Sequence, residues 1–198
     1  MPQPTTPMQT FRDVSADAGE IAQRLRAGAV AAYPTEAVMG LGCDPANEAA
    51  VTRICALKQR SLAQGVLLIA ADFAQVAPYV DLARVPSSAL DKAMASWPGP
   101  FTWIFPGSER VPAWISGRHE GIALRVTAHA DAAALCRAFG GALVSTSANP
   151  HGQPPARTAG EVLSYFPQGI DVLVDAPLGG LGKPSEIRDV LTGELVRG

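Results

Sequence analysis

The chain has 198 residues, of which 47% are hydrophobic and 17% are charged, and its formal net charge is −2. This length supports one domain with a substantial hydrophobic core, and the slightly acidic charge argues against a general binder of polyanions. No apolar run approaches the roughly 18 residues that a membrane-spanning helix requires. The three cysteines contain no CxxC pair, which is typical of reduced cytoplasmic thiols. Neither the cysteines nor the three histidines have metal-ligand spacing, so we predict no structural metal site.

The N-terminal half predicts a flexible tail followed by alternating helices and strands. Residues 1–10 are rich in Pro and Thr and lack the basic and apolar regions of a signal peptide, so we assign them to the tail. Asp17 is the predicted cap of the first helix. The predicted elements after the tail are a helix over 17–27, a strand over 29–33, a loop rich in Pro and Gly, a helix over 47–58, a strand over 65–70, a short helix or turn over 72–80 and a helix over 86–96.

The C-terminal half continues the same alternation. Its predicted elements are a strand over 101–105, a polar loop over 107–121, a strand over 122–126, a helix over 131–139, a strand over 142–145, a helix over 158–166, a strand over 170–174, and a terminal hairpin of 186–190 with 194–197. Helices that alternate with strands predict an α/β fold, and the hairpin favours a mixed sheet over a purely parallel one. We see no domain linker and therefore expect a single domain over residues 11–198.

A candidate anion site lies at the end of the helix over 47–58. Val51, Ile54 and Lys58 follow helical spacing, so Lys58 lies on the apolar face at the last turn. A lysine there can bury its stem and direct its ammonium group toward the preceding loop. Arg60 follows two residues later. The helix dipole alone also favours cations at this end, so position by itself leaves both interpretations open.

Known phosphate loops and catalytic triads are not recognisable in the chain. The segment 177–185 resembles a P-loop, but it lacks the first glycine and has Pro184 where a Ser or Thr would bind Mg²⁺. No dinucleotide fingerprint and no G-x-S-x-G motif is present. Clusters of polar and charged residues do follow three of the predicted strands. The cluster that comes after residue 144 would also be explained by a simple turn. Open α/β sheets bind ligands at such strand ends, so we expect a site for a small polar or phosphorylated substrate.

Six motifs occur in one register along the chain. They are Tyr33-Pro34-Thr35-Glu36, Lys58-x-Arg60, Pro98-Gly99-Pro100-Phe101-Thr102, Arg125-Val126, Ser145-Thr146-Ser147-Ala148-Asn149 and Pro184-Ser185-Glu186-Ile187-Arg188-Asp189. Together they resemble the YrdC-like threonylcarbamoyl-AMP synthases in their short form, which lacks an additional C-terminal domain. The resemblance extends from about residue 21 to residue 197.

The resemblance implies an α/β fold with a strongly twisted mixed sheet, flanking helices and a concave ligand-binding surface. It implies a nucleotidyltransferase that condenses L-threonine, bicarbonate (or CO₂) and ATP to threonylcarbamoyl-AMP and pyrophosphate. The product would serve threonylcarbamoyladenosine modification of tRNA by a separate transferase complex. The implied cofactor is Mg²⁺ that arrives with ATP, and the implied location is the cytoplasm. Weak binding of tRNA or double-stranded RNA is a further expectation, and no membrane partner is expected.

The resemblance also assigns roles to individual residues. The residues expected to bind ATP are Lys58, Arg60, Thr102, Ser147, Asn149 and Arg197. The residues expected to bind threonine are Thr35, Arg125, Ser145 and Ser185. Lys58 and Arg60 are the expected catalytic residues, because adenylyl transfer needs neutralisation of phosphate charge more than a protein nucleophile.

The chain departs from the family pattern at several positions. Ser61 stands where many relatives have proline, Gly65-Val66 where they have Pro-Leu, Ile69 where they have a threonine-contacting histidine, and His151 where they have serine. These departures concern the details of the pocket and not the class of reaction. Apart from them, two alternative functions stay open from the sequence. One is an RNA-binding factor without its own chemistry, and the other is an enzyme that uses carbamoyl phosphate.

Overall fold

The structure, a computed structural model, describes residues 7–183 and 185–197. Its strands are β1 (Gln9–Phe11), β2 (Ala31–Pro34), β3 (Met39–Gly42), β4 (Leu67–Ala70), β5 (Thr102–Pro106), β6 (Gly121–Val126), β7 (Leu143–Ser147), β8 (Val172–Val174), β9 (Ile187–Asp189) and β10 (Leu195–Arg197). Its α-helices are α1 (Val14–Arg26), α2 (Glu48–Leu57), α3 (Ser87–Ala95), α4 (Ala113–Ser116), α5 (Ala130–Phe139) and α6 (Ala159–Tyr165). Short 3-10 turns cover Leu62–Gln64, Phe73–Gln75, Ala77–Tyr79 and Leu82–Arg84.

The strands form one mixed sheet of ten strands in the order β1-β8-β2-β3-β7-β4-β6-β5-β9-β10. Four neighbouring pairs are parallel, β1 with β8, β2 with β8, β4 with β6, and β5 with β9. The predicted terminal hairpin is confirmed, because β9 and β10 pair in antiparallel orientation. The prediction of an α/β fold with a mixed sheet is therefore confirmed.

Helices cover both faces of the sheet. Ile21 of α1 and Leu135 of α5 belong to one buried cluster. Ile54 of α2 and Val162 of α6 belong to a second, larger cluster. Burial of these apolar side chains between sheet and helices supplies the main stabilisation of the fold.

Helix caps agree with the sequence at some helices and differ at others. Asn47 caps α2 as predicted, its side chain accepting a hydrogen bond of 3.0 Å from the amide of Ala50. The predicted cap of α1 at Asp17 is wrong, since the helix begins at Val14 and Asp13 accepts from the amide of Ala16. Asp17 lies in the first turn instead, where a negative charge also suits the helix dipole.

Two segments predicted as irregular contain regular structure. Residues 9 and 10, assigned from sequence to the tail, lie in β1, which pairs with β8. The Gly-rich loop after β2 contains β3, which the sequence analysis missed. A Cβ atom at Gly42 would lie 2.3 Å from the carbonyl oxygen of Val144 and 2.7 Å from the ring of Tyr33. Glycine here permits close strand packing instead of forming a turn. The polar loop over 107–121 likewise contains the short helix α4.

Within the described part of the chain, no helix has both the length and the apolar character needed to cross a membrane.

Candidate active site

A cavity of about 690 Å³ opens where the β2–β3 turn, β6, β7 and the segment before β9 approach one another. Six of the residues predicted to bind substrates line it, namely Thr35, Arg60, Arg125, Ser145, Ser147 and Ser185. They come from five separate segments of the chain, and the sheet topology brings them to one surface. The residues predicted to form a ligand site at strand ends therefore line one cavity.

Lys58 is buried and is not one of the residues that line this cavity. It is the C-cap of α2 and is only 4% exposed. Its Nζ atom donates to the backbone carbonyl of Asn149 at 2.9 Å, to the side-chain oxygen of Asn149 at 3.4 Å, and to the carbonyl of Ser147. In this structure, Lys58 therefore fixes the loop that presents Ser147 to the cavity. Its predicted contact with ATP phosphates stays a prediction.

Arg60 is positioned by the way α2 ends. The amide of Gln59 donates to Ala56, and the amide of Arg60 donates to Cys55, which is the hydrogen-bond pattern of a Schellman motif. Gln59 adopts the left-handed conformation with φ of 52°, where glycine is usual. This turn reverses the chain so that Arg60 faces the cavity, with one guanidinium nitrogen 2.8 Å from the carbonyl oxygen of Gly65.

Arg125 also lines the cavity and is 7% exposed. It pairs in register with Ile69 of β4, whereas Arg60 bonds the carbonyl of Gly65 before β4, so the two arginines mark two ends of the cavity. Its Nη1 atom donates a hydrogen bond of 2.9 Å to the hydroxyl of Ser185. Thr102 is fully buried, with its hydroxyl 3.5 Å from that of Ser185. Thr102 therefore supports Ser185 in this structure, and its assignment to ATP stays a prediction.

Glu36 forms a buried ion pair with Arg125, which the sequence did not indicate. Its Oε2 atom lies 3.4 Å from Nη1 of Arg125, and both side chains are 8% exposed. Its Oε1 atom accepts hydrogen bonds from the hydroxyl of Thr127 at 2.6 Å and from the amide of Ala128 at 3.1 Å. Burial raises the pKa of Glu36, but Arg125 and the Thr127 hydroxyl outweigh it, so the pKa lies below its ordinary value.

Thr35 and Ser145 also line the cavity. The hydroxyl of Thr35 donates to the carbonyl of Val38 at 2.7 Å, which leaves its lone pairs available to a ligand. Ser145 is 2% exposed. A Cβ atom at Gly40 would lie 3.3 Å from Thr35 and 3.4 Å from Ser145, so the absence of a side chain at Gly40 lets both approach.

The sequence analysis also missed several lining residues. Arg118 and His119 line the cavity, although the sequence placed them in a polar loop. No local pattern assigned them to a site, because they meet the other lining residues only in the tertiary structure. Ile69, where many relatives have histidine, is 1% exposed and belongs to the core. Arg197 lies in β10, but its side chain is outside the described residues, so its predicted contact with ATP stays a prediction.

Comparisons with known proteins agree with the family resemblance that the six sequence motifs indicate. The family model Sua5_yciO_yrdC, with the description "Telomere recombination", matches residues 23–197. A protein of Halorhodospira halophila named threonylcarbamoyl-AMP synthase is 56% identical over 176 residues, which is 89% of this chain and 91% of that protein.

Solved structures share the fold. The crystal structure of P. abyssi Sua5 complexed with L-threonine matches with a TM-score of 0.83 and 31% identity, over 92% of this chain and 53% of that chain. This chain therefore spans about half the length of that protein. The crystal structure of E. coli YciO matches with a TM-score of 0.81 and 24% identity, over 96% of this chain and 97% of that chain, which shows the fold.

Proposed function

The chain belongs to the Sua5_yciO_yrdC family, and we propose that it is an L-threonylcarbamoyladenylate synthase. The reaction condenses L-threonine, bicarbonate (or CO₂) and ATP to threonylcarbamoyl-AMP and pyrophosphate, which makes the enzyme a nucleotidyltransferase. The observation that carries the proposal is one cavity that is lined both by Arg60 and Ser147 and by Arg125 and Ser185. Relatives with this name are about half identical to the chain over most of its length.

The amino acid would bind at the Arg125 end. A guanidinium group presents parallel N–H donors that match a carboxylate, and Ser185 holds Arg125 in place at 2.9 Å. Thr35 and Ser145 provide oxygen atoms for the hydroxyl group of threonine. These contacts would orient the amine toward the centre of the cavity, where it adds to CO₂ and loses a proton to form a carbamate.

ATP would place its phosphates near Arg60 and the Ser147 loop. A carbamate oxygen attacks the α-phosphorus, a new O–P bond forms, and the bond between the α- and β-phosphates breaks to release pyrophosphate. This step requires alignment of the reactants and stabilisation of negative charge, and it does not require a protein nucleophile. Arg60 supplies positive charge to the cavity directly. Lys58 donates a hydrogen bond to the backbone carbonyl of Ser147 and so fixes the loop that carries this residue.

Mg²⁺ is proposed as part of the substrate MgATP. Among the described residues, no group of three or more His, Cys, Asp or Glu side chains could hold a metal ion. Magnesium commonly binds through substrate phosphates and water with few protein ligands, so the donor set fits an ion that enters with the nucleotide.

The product would pass to a tRNA threonylcarbamoyl-transferase complex, and we propose a cytoplasmic location. Cys43, Cys55 and Cys136 are all buried free thiols, which fits a reducing compartment. We propose no separate RNA-binding function, because Arg118 and Arg125, which could contribute positive charge to an RNA-binding patch, line the cavity.

The test is pyrophosphate release by the purified protein with MgATP, omitting L-threonine or bicarbonate in turn. Release that requires both substrates, together with a labile adenylate of threonine, is the expected result. ATP turnover that is indifferent to threonine would contradict the proposal. Absence of turnover combined with salt-sensitive RNA binding would favour the RNA-binding alternative.

A further inference from the structure

Glu36 carries a negative charge into the wall of a cavity that must accept anionic groups. Its Oε2 atom is buried, makes no hydrogen bond, and lies 3.4 Å from Nη1 of Arg125. An acid at this position partly cancels the charge of the arginine that would hold the substrate carboxylate. A structural role in orienting Arg125 does not require this full negative charge, since a neutral amide could also accept a hydrogen bond.

Glu36 is held in place both at its side chain and at its backbone. Thr127 and Ala128 both donate to its Oε1 atom. Its backbone carbonyl accepts a hydrogen bond of 2.9 Å from the amide of Leu181, and the neighbouring carbonyl of Thr35 accepts one of 3.0 Å from Gly179. Glu36 therefore keeps its charge beside Arg125 when a ligand enters, because moving away would break these bonds.

The two ends of the cavity consequently differ in charge. Among the described lining residues the acids are Glu36 and Glu120. The side chain of Glu120 is 91% exposed and lies 3.9 Å from Arg84, so it faces solvent. Glu36 is thus the acid that contacts a cavity arginine, and the Arg125 end is close to neutral while the Arg60 end carries positive charge.

We infer that Glu36 is a specificity-determining residue that makes the Arg125 end of the cavity bind a free zwitterionic amino acid in preference to free ligands that carry only negative charge, while the carbamate forms only after the amino acid is bound. A zwitterion brings an ammonium group that is attracted by Glu36 along with the carboxylate that binds Arg125. A phosphate group or a simple carboxylate brings no cation and is repelled by Glu36. The charge difference thereby directs the nucleotide phosphates to the Arg60 end. This inference rests on the proposed function.

The wild-type protein provides the first test. Isothermal titration calorimetry, with a nonhydrolysable ATP analogue present, would compare L-threonine with 2,3-dihydroxybutanoate of matching stereochemistry, in which a hydroxyl replaces the amino group. We expect threonine to bind at least about tenfold more tightly, because only threonine carries the cation. Equal affinities would overturn the inference alone. Failure of threonine to bind at all would overturn the proposed function and the inference with it.

The variant Glu36→Gln provides the second test, since the amide keeps the size of the side chain and an acceptor for Thr127. We expect the preference for threonine to fall to within about threefold, with the affinity for 2,3-dihydroxybutanoate rising. Loss of the same factor for both ligands would show a purely structural role and overturn the inference. Glu120→Gln is the matched control and should leave the preference at its wild-type value. A far-ultraviolet circular dichroism spectrum that matches the wild type verifies that Glu36→Gln is folded.

Discussion

The Nζ atom of Lys58 donates a hydrogen bond of 2.9 Å to the backbone carbonyl of Asn149, 91 residues further along the chain. This bond joins the end of α2 to the loop after β7, and it brings together two motifs that the sequence places far apart. The loop in turn presents Ser147 to the cavity. Lys58 consequently contributes to the geometry of the site although it does not line the cavity.

Lys58→Ala should abolish most pyrophosphate release. The substitution leaves the carbonyl groups of Ser147 and Asn149 without this donor, and we expect a loss of activity of about 100-fold, similar to removal of a catalytic hydrogen-bond donor. The free energy of unfolding should fall by about 1–3 kcal/mol, because buried acceptors lose a partner. Coupled measurements of pyrophosphate release and urea denaturation would check both.

Lys92→Ala is the matched control for Lys58→Ala, because Lys92 also lies at the last turn of a helix but is exposed and does not line the cavity. It should keep wild-type turnover. Full activity in Lys58→Ala would contradict the assignment of Lys58 to the active site.

Gln59→Gly should stabilise the protein. Gln59 holds a φ of 52°, a conformation that costs an L-residue with a side chain about 1 kcal/mol and costs glycine little. We expect the free energy of unfolding to rise by about 0.5–1 kcal/mol, because the larger entropy of glycine in the unfolded chain offsets part of the gain. Urea denaturation monitored by circular dichroism would measure the change.

Gly140→Ala is the reverse experiment for Gln59→Gly. Gly140 ends α5 with a φ of 81°, and a Cβ atom there would meet no neighbour within 4 Å. Its substitution should lower the free energy of unfolding by about 1 kcal/mol through backbone conformation alone. A destabilised Gln59→Gly variant would show that the side chain of Gln59 contributes more than its backbone costs.

Glu36 should make the stability of the protein depend on pH in the acid range. Its folded-state pKa lies below the ordinary value of 4.5, so the folded state favours the ionised carboxylate. The stabilisation is fully present above the unfolded-state pKa and is lost as the pH falls through the lower, folded-state pKa. The difference in unfolding free energy between wild type and Glu36→Gln should therefore shrink on acidification from neutral pH.

Urea denaturation of both proteins, at neutral pH and at a pH below the ordinary pKa of a glutamate carboxyl group, would measure this decrease in the difference. The pKa of Asp13 is also lowered, because of a hydrogen bond from Ser15. Its contribution cancels when the unfolding free energy of Glu36→Gln is subtracted from that of the wild type. A difference that stays constant across the acid range would mean that folding does not change the pKa of Glu36, and it would contradict this prediction.

The three cysteines should be unreactive in the folded protein. Cys43, Cys55 and Cys136 are buried, and burial raises the pKa of Cys43 and of Cys136 to about 12 and also raises that of Cys55. Because the thiolate is the reactive form, alkylation at neutral pH should be slow until denaturant is added, when three labels per chain are expected. Mass spectrometry would count the labels, and rapid labelling of the native chain would contradict the buried environment.

Local patterns predicted a large part of the fold because they reflect short-range physics. The cap at Asn47 and the apolar spacing through Ile54 located α2 to within one residue at each end. Thr158, the predicted first residue of a helix, is the cap of α6. The Gly-rich strand β3 was missed, because its glycines are required by the close approach of Val144 and Tyr33, which no local pattern reveals.

The sequence by itself determined the fold class, the family and six of the polar residues that line the cavity, since these follow from periodicity and from motifs in register. Only the tertiary structure decided that β1 pairs with β8, that Lys58 bonds the loop at Asn149, and that Glu36 pairs with Arg125. The physical reason is that hydrogen bonds and ion pairs form between groups that are close in space. The order of ten strands, and not the order of residues, sets which groups meet.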